Sequence, residues 1–345
     1  MTYTIKELAD LFGITTNKAR FYEKKGLIKP KREDNDYRFY TEEDVLKIQT
    51  ILMYRSLGMP IEHIKKIMLE DENSYIERFH HLWKLTNDEL QRLSSIKSTL
   101  EKIMDEIYET DQQVMNNKIM SFIQEDQKIF DIKSGWEDKW NFDNWAKTYD
   151  QSIDHFKGQD GIYQSYDDLL DEVTKIASED MTSDHLVLDI GVGTGNLTQR
   201  LLKKNLSVVG VDQSRNMLCE VKRKLPQLKV RLGDFMNLPF SDQSFDRIAT
   251  TYAFHHLEDH EKEIALKEMS RVIKSNGKIV IGDMMFESTN ERQRLMSLMT
   301  EEEVEEVNDE YYSNIEHLKE AGERIGLSLK YYPIDKICWV VVLEK

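Results

Sequence analysis

The sequence predicts a multidomain chain: an all-α winged helix-turn-helix head, a coiled-coil helix and an α/β Rossmann-like domain. Three observations carry that prediction. Helical spacing interrupted by glycine fills the first 70 residues, an apolar seam of threes and fours occupies the middle, and LVLDIGVGTGNLTQRL (Leu186 to Leu201) reads as a buried strand, a glycine turn and the start of a helix. At 345 residues the chain holds two folded units and a connector.

In the head, Ile5, Leu8, Ala9 and Phe12 lie at helical spacing and Gly13 stops the helix. Thr15 or Thr16 caps the next helix, which runs to Lys25. Two helices so joined are a helix-turn-helix, which sets its second helix in a DNA major groove. Gly26-Leu27-Ile28 and Tyr37 to Tyr40 are expected to pair as a short wing. Thr41-Glu42-Glu43-Asp44 supplies a cap and an acidic first turn for a third helix, Gly58-Met59-Pro60 breaks it, and Pro60 starts a fourth.

Charge is distributed to match. Residues 1–40 carry nine Lys/Arg and six Asp/Glu, net +3, which leaves −19 elsewhere in a chain of net charge −16. Phosphate attraction acts within a Debye length of roughly 8–10 Å, so a basic head on an acidic body favours local DNA contact and disfavours non-specific binding.

The connector follows at residues 73–125. Leu93, Ile96, Leu100, Ile103, Ile107 and Val114 share one seam, with charged and amide residues at most other positions. The pattern fits about three heptads of coiled coil, and it also fits a helix packed on its own domain. A linker is expected over 126–140, and the α/β domain over 141–345.

In that last domain the glycine turn has company. Leu206 to Val211 is a second β-rich run closed by Asp212, 21 residues after Gly191, and Val230 to Leu232 a third, closed by Gly233, Asp234 and Phe235. Glycine admits a ligand close to the backbone, and a carboxylate ending the second strand suits a ribose diol. Asp234 with Phe235 suits the amino group and ring of an adenine. Candidates for acceptor chemistry are Tyr252, His255 and His256, after the fourth strand.

This array, with FDNWAKTYD (Phe142 to Asp150) and SFDRIATTYAFHHLEDHEKEIALKEMSRVIKSNGKIVIGD, resembles the class I S-adenosylmethionine-dependent methyltransferases from about Phe142 to Met285. The resemblance implies a seven-stranded sheet ending in an antiparallel hairpin. It implies a cofactor site of Tyr149, Asp189, Gly191, Gly193, Thr194, Asp212, Gln213, Met217, Asp234 and Phe235, with S-adenosyl-L-methionine as the cofactor. Ser275-Asn276-Gly277 stands where that family often has Pro-Gly-Gly.

The head, through ARFYEKKGLIKP, NDYRFYTEEDV and LGMPIEHIKKI, resembles the MerR family of bacterial transcription regulators. That resemblance implies phosphate contacts from Arg20, Tyr22, Tyr37 and Arg38, and groove contacts from Thr16, Asn17 and Lys18. Asn17 replaces the arginine of many members. It also implies operator or promoter DNA as partner and a homodimer through the 93–114 helix, which favours the coiled-coil reading of the seam.

Two cysteines, Cys219 and Cys338, make no disulfide framework, and no apolar run reaches the length of about 18–20 residues that a membrane span requires. The expectation is a cytoplasmic protein. No His/Cys/Asp spacing calls for a metal. Two functional readings stand: a methyltransferase acting on a small molecule and coupled to gene regulation, or a regulator that senses S-adenosylmethionine or its demethylated product without turnover.

Overall fold

A computed structural model describes residues 2–32, 38–70, 75–106, 119–121, 123–124, 127–129, 132–133, 140–157 and 163–345. The chain divides into two compact units, residues 1–90 and 91–345.

The first unit runs β1 (Thr2–Tyr3), α1 (Ile5–Leu11), α2 (Thr16–Lys24), β2 (Lys31–Arg32), β3 (Arg38–Thr41), α3 (Glu42–Ser56) and α4 (Ile61–Glu70). Its helix starts are written in the sequence. Thr4 and Glu7 form a capping box on α1, the Thr15 side chain accepts from the Lys18 amide, and Thr41 with Asp44 boxes the start of α3. The wing differs from expectation. Gly26, at φ +75°, ends α2, and Leu27 and Ile28 are buried in the core instead of forming a strand. The strand is Lys31–Arg32, paired with Phe39 and Arg38, and Thr2–Tyr3 pairs with the other edge of β3. The helical head thus carries a three-stranded sheet, β1-β3-β2. Leu8, Tyr22, Ile28, Tyr40, Ile48, Ile51, Tyr54 and Ile64 fill its core.

One long helix, α5 (Tyr75–Glu106), carries the seam. Leu93, Ile96 and Leu100 are 51%, 42% and 54% exposed, so at these positions the helix does not pack its seam on its own domain. Ile107 and Val114 lie outside the described residues.

The second unit continues α6 (Phe142–Trp145), α7 (Tyr149–Lys157), α8 (Tyr166–Ser178), β4 (Leu186–Ile190), α9 (Asn196–Lys203), β5 (Ser207–Asp212), α10 (Arg215–Lys224), β6 (Lys229–Leu232) and β7 (Phe245–Thr251). Then come α11 (Asp259–Val272), β8 (Ile273–Phe286), α12 (Thr289–Met296), α13 (Glu301–Asp309), β9 (Ser313–Asn314), α14 (Ile315–Arg324), β10 (Ser328–Pro333) and β11 (Cys338–Glu344). The sheet order is β10-β11-β8-β7-β4-β5-β6, with β9 paired to β8. The strands from β6 to β8 are mutually parallel, and β11 runs against both β8 and β10. This is the seven-stranded Rossmann-like sheet that the sequence implies, with one short strand added. Successive residues feed opposite cores: Val187, Val208 and Val280 enter one, Leu188, Val209 and Ile281 the other. Both faces are covered, which is why the central strands are near-continuous apolar runs.

The chain leaves β4 to pair on one side with β5 and on the other with β7. Order reverses there, and ligands of open α/β sheets bind at that switch point, outside the carboxyl ends of the strands.

Candidate functional site

A cleft opens at that point. It is lined by the residues that follow β4, β5, β6 and β7, together with Phe142, Trp145 and Tyr149 from the segment before the sheet. Tyr149, Gly191, Gly193, Thr194, Asp212, Gln213, Met217, Asp234 and Phe235 all border it.

The glycine turn is shaped by its own backbone. Gly191, Gly193 and Gly195 have φ of +71°, +50° and +90°. A Cβ on Gly191 would meet the Ala253 Cβ at 2.6 Å, whereas one on Gly193 would have only the Gly191 carbonyl near it, at 3.9 Å. Four of the turn's amides are already engaged. Gly191 and Val192 both donate to the Val211 carbonyl at 2.9 Å, Gly195 donates to Val192 at 2.8 Å, and Gly193 donates to Asp212 Oδ2 at 2.8 Å. Asp212 Oδ1 accepts from Ser214 at 2.8 Å, so the loop and the start of α10 together fix this carboxylate at the cleft.

Asp234 is held likewise by the Met236 amide at 2.8 Å, and Phe235 meets Phe254 edge-on at 5.4 Å. Asp189 behaves differently from the other expected contacts. It does not border the cleft; its carboxyl is buried against the Thr198 hydroxyl at 2.6 Å, where burial pushes its pKa up to about 7 and the nearby Asp212 adds to the rise. Its place is beneath the loop, supporting it.

The FDNWAKTYD segment contributes ties that the sequence did not single out. Asp143 Oδ1 accepts from the Ser214 hydroxyl at 2.6 Å and the Asn216 amide at 3.1 Å, at the start of α10. Asp150 Oδ1 accepts from the Thr194 hydroxyl at 2.6 Å and from Asn196 at 3.3 Å, while Lys224 pairs with its other oxygen. The Thr194 side chain is therefore turned to Asp150. Tyr149 packs edge-on against Trp145 at 4.9 Å, and burial raises its phenol pKa well above the usual value.

Beyond the cofactor-side residues lie Tyr252, His255 and His256. Tyr252 stacks on Tyr166 at 4.9 Å, with its hydroxyl 3.8 Å from Cys338 Sγ; burial raises its pKa far above that of free tyrosine. It is a wall of the cleft and stays neutral. His255 is 1% exposed, with Nδ1 2.5 Å from Asp283 Oδ1 and Nε2 3.4 Å from Glu310 Oε2. Burial alone would lower its pKa; Asp283 and Glu310 outweigh that and raise it. His256 lies between Trp140 and Phe142, each ring 4.9 Å away, and burial with the neighbouring His255 lowers its pKa well below the usual range.

Sequence spacing called for no metal; the fold brings His255, His256 and Glu310 together, with one ligand atom from each within 4.8 Å of the others. Neither Asp283 nor Glu310 was singled out in the sequence, because each is far along the chain from the histidines.

In the head, Asn17, Lys18 and Arg20 are exposed on α2, and Thr16 is half-buried in its first turn. Arg38 is exposed, its Nε 3.1 Å from Glu23 Oε1. Tyr37 lies outside the described residues. Tyr22 departs from expectation: at 1% exposure it belongs to the core, and burial raises its pKa. It supports α2 from beneath instead of facing phosphate.

Among the described residues no helix is long and apolar enough to cross a membrane. Cys219 is exposed and Cys338 buried, and neither forms a disulfide among the described residues.

Comparison with known proteins agrees with this division. The MerR HTH family regulatory protein model matches residues 3–71, and a methyltransferase domain model matches 187–277. An uncharacterized methyltransferase of Oceanobacillus iheyensis is 34% identical over 209 residues, 59% of this chain and 95% of its own length. One of Staphylococcus carnosus is 34% identical over 212 residues, 59% of this chain and 97% of its own. Among solved structures, the magnesium protoporphyrin IX methyltransferase of Synechocystis is 14% identical at a TM-score of 0.46, covering 60% of this chain and 99% of that one. The chain thus belongs to the methyltransferase family through its C-terminal part, to which a MerR-type DNA-binding regulatory domain is joined at the N-terminus.

Proposed function

We propose that the cleft binds S-adenosyl-L-methionine and that the C-terminal domain transfers its methyl group to a small molecule, while the head holds operator or promoter DNA. The observation that carries this reading is the state of the glycine turn. Phosphate-binding glycine loops offer free backbone amides to an anion. Here the amides of Gly191, Val192, Gly193 and Gly195 are bonded within the protein, and the cleft presents Asp212 and Asp234. Such a site favours a ligand with a diol, an adenine and a positive centre over one with a pyrophosphate. Asp212 suits the ribose hydroxyls, Asp234 and Phe235 the adenine, and the open space beside Gly193 lets the ligand lie on the backbone.

The sulfonium cofactor supplies an activated methyl group. The protein's part is to align the acceptor and exclude water, for which the aromatic wall of Trp145, Tyr149, Tyr166 and Tyr252 is suited. His255 and His256 face the acceptor's side. The exposed seam of α5 supports a homodimer, which presents two heads to two half-sites. The cytosol is the compartment consistent with DNA and S-adenosylmethionine as partners.

The experiment is calorimetry with S-adenosylmethionine and its demethylated product, followed by incubation of labelled cofactor with a metabolite extract. Binding with label transferred to a small molecule is the expected result. Binding without transfer to any fraction supports the sensing reading, and absence of binding overturns the cofactor assignment.

A further inference from the structure

We propose that His255, His256 and Glu310 form a binding site for a divalent metal ion of the zinc class on the acceptor side of the cleft. The three residues offer two imidazole nitrogens and one carboxylate oxygen, a donor set common in zinc sites that keep a coordination place open. His255 Nε2 and Glu310 Oε2 stand 3.4 Å apart, the length of an edge between two ligands of one tetrahedral ion with bonds of about 2.0–2.1 Å.

The support behind the ligands fits as well. Asp283 is fully buried and its Oδ1 lies 2.5 Å from His255 Nδ1, so the ring is fixed with Nε2 turned to Glu310. A carboxylate behind a histidine in this way sets its tautomer and raises its strength as a ligand. Asp283 is in turn immobilised: its Oδ2 accepts from the Phe254 and His255 amides at 2.7 and 3.1 Å, and its Oδ1 from the Met284 amide at 2.8 Å. The Tyr311 amide donates to the His255 carbonyl at 3.0 Å, which holds the residue after Glu310 against the histidine turn.

A second observation is independent of that geometry. His255 Nε2 and His256 Nδ1 are buried without a hydrogen-bond partner. A buried polar atom left so is costly, and two at one spot beside a carboxylate call for something that takes lone pairs. The charged neighbour on the other side is Lys262. Its Nζ is directed to the Tyr311 carbonyl and lies 3.6 Å from Asp259, and burial pushes its pKa down to about 8. An ion held by the three ligands keeps the rest of its coordination sphere for water or for a thiol, hydroxyl or carboxylate of a molecule in the cleft.

The test uses the full chain, stripped by chelator and dialysed. Zinc is titrated in competition with a chromophoric chelator, and cobalt is added separately for its visible spectrum. The expected result is one ion per chain with a dissociation constant in the micromolar range or below. His256→Gln and Glu310→Gln should each weaken it at least tenfold, and Asp283→Asn about 10–100-fold, as for other histidine-supporting carboxylates. The cobalt form of the unsubstituted protein should show d–d bands without thiolate charge transfer, which keeps the site testable should a variant fail to fold. Absence of stoichiometric binding overturns the proposal. So does unchanged affinity in both ligand variants, or a thiolate band that places the ion at a cysteine. S-adenosylmethionine affinity is measured on the same stripped samples. Its retention separates failure of the metal site from failure of the methyltransferase reading.

Discussion

The two ends of this molecule place their candidate functional groups in opposite ways. In the head, Asn17, Lys18 and Arg20 stand exposed on α2, above a core of Leu8, Tyr22 and Ile48. In the C-terminal unit the candidate groups are buried: Asp189, Asp212, His255 and Asp283 are 1%, 8%, 1% and 0% exposed. A surface that reads a charged polymer needs long, hydrated side chains. A cleft that aligns two small molecules needs carboxylates and rings fixed from several sides. Function and stability are therefore separable in the head and entangled in the C-terminal unit.

The largest test of that contrast is Gly191→Val. Its side chain would collide with Ala253 at a φ of +71°, so a loss of about 2–6 kcal/mol of stability is expected along with loss of cofactor binding. Thermal unfolding of the variant measures it, and an unchanged melting temperature would show the loop to be independent of the fold. Tyr22→Ala should cost about 3–5 kcal/mol in the head, as other large aromatic truncations do. If denaturant unfolding shows a stable head that has lost only DNA affinity, Tyr22 faces phosphate after all.

Asp212→Ala should weaken S-adenosylmethionine binding by about 1.5–3 kcal/mol, read by calorimetry. It also releases the Gly193 and Ser214 amides, so some stability should go with it.

Asp189 gives a smaller effect with a definite sign. Its folded pKa, about 7, lies above its ordinary value of 3.8, so the native state holds the proton more tightly than the unfolded chain. Its contribution is fully present at low pH and is lost as pH rises toward about 7. Asp189→Asn should remove a fall of order 2 kcal/mol between about pH 5 and pH 7, visible as a flatter stability–pH curve. Arg20→Ala should change stability by no more than about 0.5 kcal/mol. It should weaken DNA binding alike on all sequences and lower the salt slope by about 1, measured by titration at several salt concentrations.

What was legible in the sequence was what is local. The Gly191-to-Gly195 turn, the Thr15 and Thr41 caps and the apolar core strands β4 and β5 each depend on a few adjacent residues, and each appears where expected. The wing strand was misplaced because Leu27 and Ile28 look like a strand by composition, and only the φ of Gly26 turns them into the core. The Asp283–His255 pair spans 28 residues and joins two strands' ends; no spacing rule reaches it. Glu310 comes from a charged helical segment that by composition resembles any solvated surface. Tyr22 shows the same limit in reverse: a motif gives a residue's neighbours along the chain, while its burial comes from the core it shares with Leu8, Tyr40 and Ile48.

The ties of Asp143 and Asp150 also bear on time. They hold the aromatic wall from Phe142 to Tyr149 against the glycine turn and the start of α10, through hydrogen bonds of 2.6 Å to Ser214 and Thr194. A ligand in the cleft would have that wall on one side, so opening of those bonds would widen its path to solvent. In enzymes with covering segments, release of product often limits turnover. On the proposed reading of the cleft, Asp143 and Asp150 would bear on how long a demethylated cofactor stays bound.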